Sequence, residues 1–238
     1  MSWHGERGLD ALDVRSYILV TGGAGGIGSA VCRLLPTIGI TPIVGYNSNE
    51  SVANTISEEL NGFAIRIDMA EIQSIEKAIQ IITQKIQPPH SLVGVVLGAS
   101  PPPEIKPFGH VTYEDLSCQL MVNVIGTQHL LKGLIKKFFQ KTKSGVVVGI
   151  LSKAIGSEGR GPVKGMGAYV VAKAALKGML SVCAAEYSWL KVRTVSPGFT
   201  RTAMLAVFDS RYLEIIENTE TISSAEEVAQ LILEEIVS

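Results

Sequence analysis

The stretch Thr21-Gly22-Gly23-Ala24-Gly25-Gly26-Ile27-Gly28 decides the fold, because the apolar run Tyr17-Ile18-Leu19-Val20 leads straight into it. A strand that ends in a glycine-rich turn and opens into a helix is a phosphate cradle. Without a Cβ, glycine lets backbone N–H groups approach an anion closely, and the helix N-terminus adds partial positive charge. The dinucleotide-binding spacing fits as Gly23, Gly25, Gly28, and with wider spacing as Gly22, Gly26, Gly28. A chain with 24 glycines makes such clusters by chance, so an ordinary strand–helix turn is the plain alternative. Context favours the cradle: Ile27 to Leu35 suits a helix packed on a sheet, and a second strand, Thr41 to Gly45, follows at the distance of a βαβ unit.

Outward from this turn, apolar runs alternate with helical patterns. Strands are expected over 17–20, 41–45, 63–67, 92–98, 145–151 and 191–196, several of them continuous Val/Ile/Leu runs suited to buried parallel strands. Helices are expected near 27–38, 50–60, 70–86, 112–140, 165–188 and 224–237. Thr112 before Glu114-Asp115, and Ser223 or Ser224 before Glu226-Glu227, supply caps and acidic first turns. Pro36 should shorten the first helix, and Pro101-Pro102-Pro103 with Pro107 mark a stiff loop after the fourth strand, at the ligand-binding edge of a parallel sheet. No linker or short-period repeat divides the chain. Residues 17–238 therefore read as one α/β domain, and residues 1–16 as a polar N-terminal extension, a loose arm or a short docking segment.

Composition agrees. Apolar residues make up 46% and charged residues 18%, which suits a sheet buried on both faces. A net charge of −1 leaves no electrostatic footprint for nucleic acid or a membrane surface. Cys32, Cys118 and Cys183 lie far apart, without metal-binding spacing, in apolar helical contexts; they read as core filler, and no metal site is expected. No N-terminal apolar run reads as a signal peptide and none is long enough to span a bilayer, which implies a soluble, cytoplasmic setting.

Tyr169 and Lys173 are one helical turn apart and share a face. A phenol has an ordinary pKa of about 10, and a nearby ammonium favours its ionised form, so such a pair can pass a proton to or from an alcohol oxygen. The same spacing recurs at Tyr187 and Lys191, but that pair runs from a helix end into the next strand and reads as a decoy. Ser152, at the end of the fifth strand, either merely ends the strand or orients a substrate carbonyl. Asn123, amid Leu120, Met121, Val122 and Val124, is either a satisfied core amide or part of a proton relay.

Taken in order, Thr21-Gly22-x-x-x-Gly26-x-Gly28, Asn123, Ser152, Tyr169-x-x-x-Lys173 and Pro197-Gly198 resemble the short-chain dehydrogenase/reductase family. The likeness is to its compact single-domain branch, which includes 3-oxoacyl-carrier-protein reductases, and it covers about residues 16 to 235. It implies a Rossmann-like doubly wound parallel sheet in the order 3-2-1-4-5-6, with helices on both faces and the family's final strand missing. It also implies hydride transfer between NAD or NADP and a carbonyl or alcohol substrate, possibly carrier-bound. By position, Tyr169 would be the acid/base. Lys173 would lower its pKa and hold the nicotinamide ribose, Ser152 would position the substrate oxygen, and Asn123 would hold a water linking Lys173 to solvent. The dinucleotide would lie on Thr21, Gly22, Gly26, Ile27 and Gly28, with Asp68 and Met69 at the adenine. Ala99, Pro197, Gly198, Thr200 and Thr202 would complete its contacts.

The chain departs from the family pattern in places. The family's Asn-Asn-Ala-Gly is Leu97-Gly98-Ala99-Ser100 here, without the amides that brace the strand; the glycine-rich segment between Ser152 and Tyr169 is longer than usual; and the usual last strand is absent after residue 237. The end of the second strand holds Tyr46-Asn47-Ser48, with no carboxylate before Glu50. Asn47 and Ser48 can accept a 2′-phosphate, which favours NADP over NAD, although no arginine stands in the glycine turn. Met204, Leu205, Val207, Phe208 and Tyr212 form an apolar lid or an ordinary packed surface helix. The two longest helices bear apolar residues on more than one face, and the resemblance implies that they pair in a homodimer or homotetramer. Three functions follow in order of preference: a carbonyl reductase acting on a ketone or 3-oxoacyl thioester, a non-catalytic dinucleotide-binding sensor or scaffold subunit, and a sugar-nucleotide epimerase or dehydratase.

Overall fold

The computed structural model describes residues 14–219 and 221–238. Most of the sequence-predicted N-terminal extension therefore lies outside the described residues. Its last residue, Ser16, already belongs to the first strand and pairs with Ile40 on one side and Ser91 on the other.

Six strands, β1 (Ser16–Thr21), β2 (Ile40–Tyr46), β3 (Phe63–Arg66), β4 (Ser91–Leu97), β5 (Val146–Ile150) and β6 (Lys191–Val195), form one parallel sheet in the order β3-β2-β1-β4-β5-β6. Register explains why they read as unbroken apolar runs. Leu19, Ile43, Val95 and Val147 point to one face, where they meet Ile75, Leu130 and Leu176. Their neighbours Ile18, Val44, Val96 and Val148 point to the other, against Val31, Ile56 and Ile232. Each of these four inner strands thus buries both faces, as a doubly wound sheet requires, while the edge strands β3 and β6 are only partly buried. Among the described residues no seventh strand pairs with β6, and this edge carries Lys191 and Arg193, charges that disfavour edge-to-edge pairing.

On one face lie α1 (Gly26–Leu34), α2 (Glu50–Glu59) and α9 (Ala225–Val237); on the other lie α3 (Ile72–Lys85), the composite helix from residue 113 to 142, and α7 (Gly167–Glu186). α8 (Ser210–Thr219) stands apart in the segment after β6. Pro36 acts as expected: α1 gives way to a tighter turn, Leu35–Ile38, which ends at Gly39 in the left-handed region. Thr112 and Ser224 each cap a helix in a reciprocal box, with Asp115 and Glu227.

Two expectations need correction. The long helix is not uniform: α4 (Tyr113–Leu120) and α5 (Thr127–Leu134) are joined by a wide π turn, Met121–Gly126, and a second, Ile135–Phe139, leads into α6 (Gln140–Thr142). Such widened turns often accompany functional sites, and the first holds Asn123. Second, α7 is by length and composition apolar enough to cross a membrane, although its sequence carries Lys173 and Lys177. In the fold it packs on β5, β6 and α4, and its apolar character is that of a core helix exposed on one side.

Candidate active site

The glycine turn follows β1 beside β4, where the strand order reverses and a doubly wound sheet opens a crevice. Gly22 has φ +69°, a left-handed conformation that other residues adopt at a cost. Gly28 lies so close to the turn that a Cβ would overlap Gly22 O and stand 2.8 Å from Gly22 C and 2.9 Å from Gly23 Cα. Thr202 packs over Gly26 in the space a side chain there would need. Backbone is thus exposed to the crevice where the sequence places a phosphate.

Thr21 does something its sequence did not reveal. It is buried, and its Oγ1 accepts from the N–H groups of Gly98 (3.0 Å) and Ala99 (3.2 Å) while donating to Val96 O (3.4 Å). One hydroxyl on β1 thereby braces the end of β4, in a chain that lacks the family's amides at 97–100.

Around this turn two cavities adjoin, sharing Ile27, Gly98, Ser100, Thr202 and Met204. The outer cleft gathers Gly22, Gly26 and Gly28, then Asn47 and Ser48 beyond β2, Asp68 and Met69 beyond β3, and Ala99 beyond β4. Asp68 is held in place: its Oδ1 accepts from Ala70 N–H (2.9 Å) and its own N–H donates to Ser74 Oγ (2.9 Å). Arg66, at the end of β3, was missed in the sequence. Its Nε donates to Asn47 O (3.3 Å), which brings a guanidinium beside the end of β2. Nearby, the Tyr46 hydroxyl donates to Glu50 Oε1 (3.0 Å), engaging the one carboxylate near this strand end that the sequence offered. Cys118 also lines the cleft and is exposed, against the expectation of core filler. Cys32 is such filler, fully buried, its thiol pushed up to about 12 by burial.

The inner cavity holds Ser152, Tyr169, Lys173, Pro197, Gly198 and Thr200, with about 880 Å³ of empty space. Ser152 Oγ accepts from Ala154 N–H (3.1 Å), closing a short turn at the end of β5, and the same side chain stands near enough to Tyr169 to favour its ionised form. Lys173 Nζ donates to Ile150 O (2.9 Å) and lies 5.6 Å from the Tyr169 ring centroid. The pair is therefore preformed. Its electrostatics differ from the sequence expectation: burial pushes the Tyr169 phenol above its ordinary value, only partly offset by the Ser152 side chain. Burial also drags Lys173 down from 10.5 to about 7. Each charge is penalised when formed alone at these buried positions.

Thr21 and Asn123 line neither cavity. Asn123 is fully buried, and its Nδ2 donates to Gln119 O (3.0 Å) and Gln119 Oε1 (3.1 Å). Its Oδ1 has no partner among the described residues, so it is not a satisfied core amide; an unpaired buried acceptor costs about 1–3 kcal/mol unless something occupies it. Gln119 went unnoticed, although an amide one turn before Asn123 is visible in the sequence. Its Nε2 donates to Pro101 O (3.3 Å) and Pro102 O (2.9 Å), so one buried amide joins the proline loop to Asn123. Lys106 pins the far end of that loop, through Asp115 (2.9 Å) and through its N–H to Gly165 O (2.9 Å).

In the segment the sequence offered as an apolar lid or a packed surface helix, a tight turn, Ala203–Val207, precedes α8. Phe208 stacks on Tyr212 (centroids 5.4 Å apart) and meets Phe199 edge-on at 5.5 Å. The base of the segment is closed by hydrogen bonds of Ser223 to Phe199 and Arg201.

A backbone cradle at the switch point of a Rossmann sheet, opening into a pocket with a buried Tyr–Lys pair, defines a nicotinamide-dinucleotide-dependent oxidoreductase. The chain belongs to the short chain dehydrogenase family, whose model matches residues 16–212. It is 30% identical over 192 residues to a 2,5-dichloro-2,5-cyclohexadiene-1,4-diol dehydrogenase of Sphingobium indicum, covering 79% of this chain and 74% of that one. It is 31% identical over 189 residues to a 3-oxoacyl-(acyl-carrier-protein) reductase of Mus musculus, covering 78% and 75%. A solved short chain dehydrogenase from Burkholderia cenocepacia, in complex with NADP, superposes with a TM-score of 0.79 over 92% of this chain and 89% of that one; at 23% identity this shows a common fold.

Proposed function

We propose that this protein interconverts a carbonyl and an alcohol, working as a reductase of a ketone or 3-oxoacyl thioester, with NADP(H) as cofactor and Tyr169 as acid/base. The residues fit the dinucleotide: the cradle of Gly22, Gly26 and Gly28 leaves backbone bare where side chains would block an anion, and the cleft beyond it is continuous with the inner cavity. Bound in that cleft, NADPH would supply the hydride that reduces the carbonyl carbon. Tyr169, neutral at physiological pH because burial raises it, holds the proton that the new alkoxide oxygen takes. Ser152 donates its hydroxyl hydrogen to the carbonyl oxygen and so orients it. Lys173, nearly balanced between its two states at neutral pH, restores the proton to Tyr169. Asn123 Oδ1, the one unpartnered buried side-chain acceptor found among the described residues, anchors a water on the path to solvent. The convergence of Ser152, Tyr169 and Lys173 on one cavity that adjoins the glycine cradle supports this most directly.

NADP is favoured over NAD by Arg66, which ends β3 and reaches the end of β2 beside Asn47, and by Glu50 being held by the Tyr46 hydroxyl rather than free to meet a ribose. A homodimer, formed through α5 and α7, accounts for Val171 and Val182 standing exposed on α7 and Ile125 just before α5.

Consumption of NADPH and NADH against ketones, 3-oxoacyl thioesters and keto-sugars tests the function. NADPH turnover with a carbonyl is expected, falling by about 10²–10⁴ in Tyr169→Phe. Undiminished turnover in that variant, or no binding of either dinucleotide, refutes it.

A further inference from the structure

The inner cavity has a charge pattern that proton transfer does not need. Beside Tyr169 and Lys173, its ionisable lining residues are Lys153 and Arg160, and none of the described lining residues is a carboxylate. The remaining wall is largely apolar, including Val163, Met166, Leu205 and Phe208. Lys153 follows Ser152 directly. Its N–H donates to Pro197 O (2.8 Å), which fixes the base of the side chain, and its stem runs beside Gly198, where a Cβ would stand 3.6 Å from Lys153 Cδ. Among the described residues no acid pairs with its ammonium. Arg160 stands in a tight turn closed by reciprocal hydrogen bonds with Ser157 (2.8 and 3.0 Å), and the inference rests on Lys153 alone.

A lysine on an open surface needs no counterion. Lys153 is itself exposed and water solvates its ammonium, but its stem lies along the wall of this pocket, next in sequence to Ser152, so it meets whatever enters. We infer that the natural substrate carries an anionic group, a carboxylate or its equivalent, close to its reactive carbonyl, and that Lys153 recognises it while the apolar wall takes the rest of the molecule. The substrate class is thus an oxo acid with an apolar body rather than a neutral ketone. This rests on the carbonyl-reductase reading above and narrows it. The phosphates of a dinucleotide are the rival counterion, but their cradle lies in the outer cleft, of which neither Lys153 nor Arg160 forms part.

The test uses the full chain and three matched probes: 2-oxooctanoate, its methyl ester and 2-octanone. Kinetics with NADPH should favour the acid over the ester in kcat/KM by about ten-fold, the worth of one charge-assisted contact. Lys153→Gln should remove that preference, and Lys153→Arg should restore most of it. Calorimetry with octanoate, which cannot be reduced, reads binding apart from turnover: its affinity should fall about ten-fold in Lys153→Gln and decline with added salt. Equal handling of acid and ester by the wild type, or equal losses on both in Lys153→Gln, overturns the inference. So does a Lys153→Gln variant that weakens NADPH binding but not octanoate binding, since Lys153 would then serve the cofactor. Lysine-dependent octanoate binding without turnover of any probe would leave this inference standing and remove the reductase reading instead.

Discussion

Replacing Lys173 with methionine should make the protein more stable at neutral pH while abolishing its chemistry. The ammonium is buried among α7 and the end of β5, with Ile150 O and the Tyr169 ring as its described contacts. Its fall from 10.5 to about 7 corresponds, at about 1.4 kcal/mol per pH unit, to a penalty of roughly 5 kcal/mol for holding the charge in the folded state. Water drawn towards the ammonium reduces that, so about 2–5 kcal/mol is expected. Above pH 10.5 the amine is neutral in folded and unfolded chains alike and contributes nothing. Between 10.5 and about 7 the unfolded chain holds the proton and the folded chain does not, so stability declines as pH falls. Below about 7 both hold it and the penalty is constant. Lys173→Met lacks the group, so its advantage over the wild type should be near zero at the alkaline end, grow as pH falls through this window, and level off below about 7. Urea unfolding of both proteins at several pH values, followed by circular dichroism, measures the difference. An advantage that does not vary with pH, or that grows towards alkaline pH, refutes burial as the cause of the lysine's shift. Stability gained with activity lost is the mark of a residue kept for function.

Substitutions at two further positions probe the scaffold around the site. Gly28→Ala must push its methyl against Gly22 O, so it should cost about 1–3 kcal/mol in urea unfolding and weaken NADPH binding; a neutral result would mean the turn is not packed as described. Gln119→Leu, which loses the links to Asn123 and to Pro101 and Pro102, should lower kcat at every pH, whereas Gln119→Glu should work at acidic pH and fail as pH rises. The reason is that a buried acid facing two carbonyl oxygens is held protonated until well above the ordinary carboxylate range, and only its protonated form can donate to them. Parallel pH profiles for the two variants would reduce Gln119 to a packing role.

Much of this protein is legible from local chemistry. Continuous Val/Ile/Leu runs are parallel strands because both faces of such a sheet are buried, and Thr112 and Ser224 start helices because their side chains satisfy orphan N–H groups within one turn. The glycine turn and the one-turn spacing of Tyr169 and Lys173 needed nothing beyond backbone sterics and helical period. What the chain alone did not disclose depends on groups far apart in sequence. Thr21 braces Gly98 and Ala99 through hydrogen bonds set by strand register, and Gln119 reaches the proline loop because α4 happens to cross beneath it. Cys118 is exposed and Lys173 nearly neutral because burial is a property of the assembled fold; neither spacing nor composition contains it. Sequence picked out the residues proposed to carry the chemistry, and tertiary packing decided their charge, their partners and the wall they face, whose described residues include no carboxylate, since desolvation and counterion distance exist only once the chain has closed on itself.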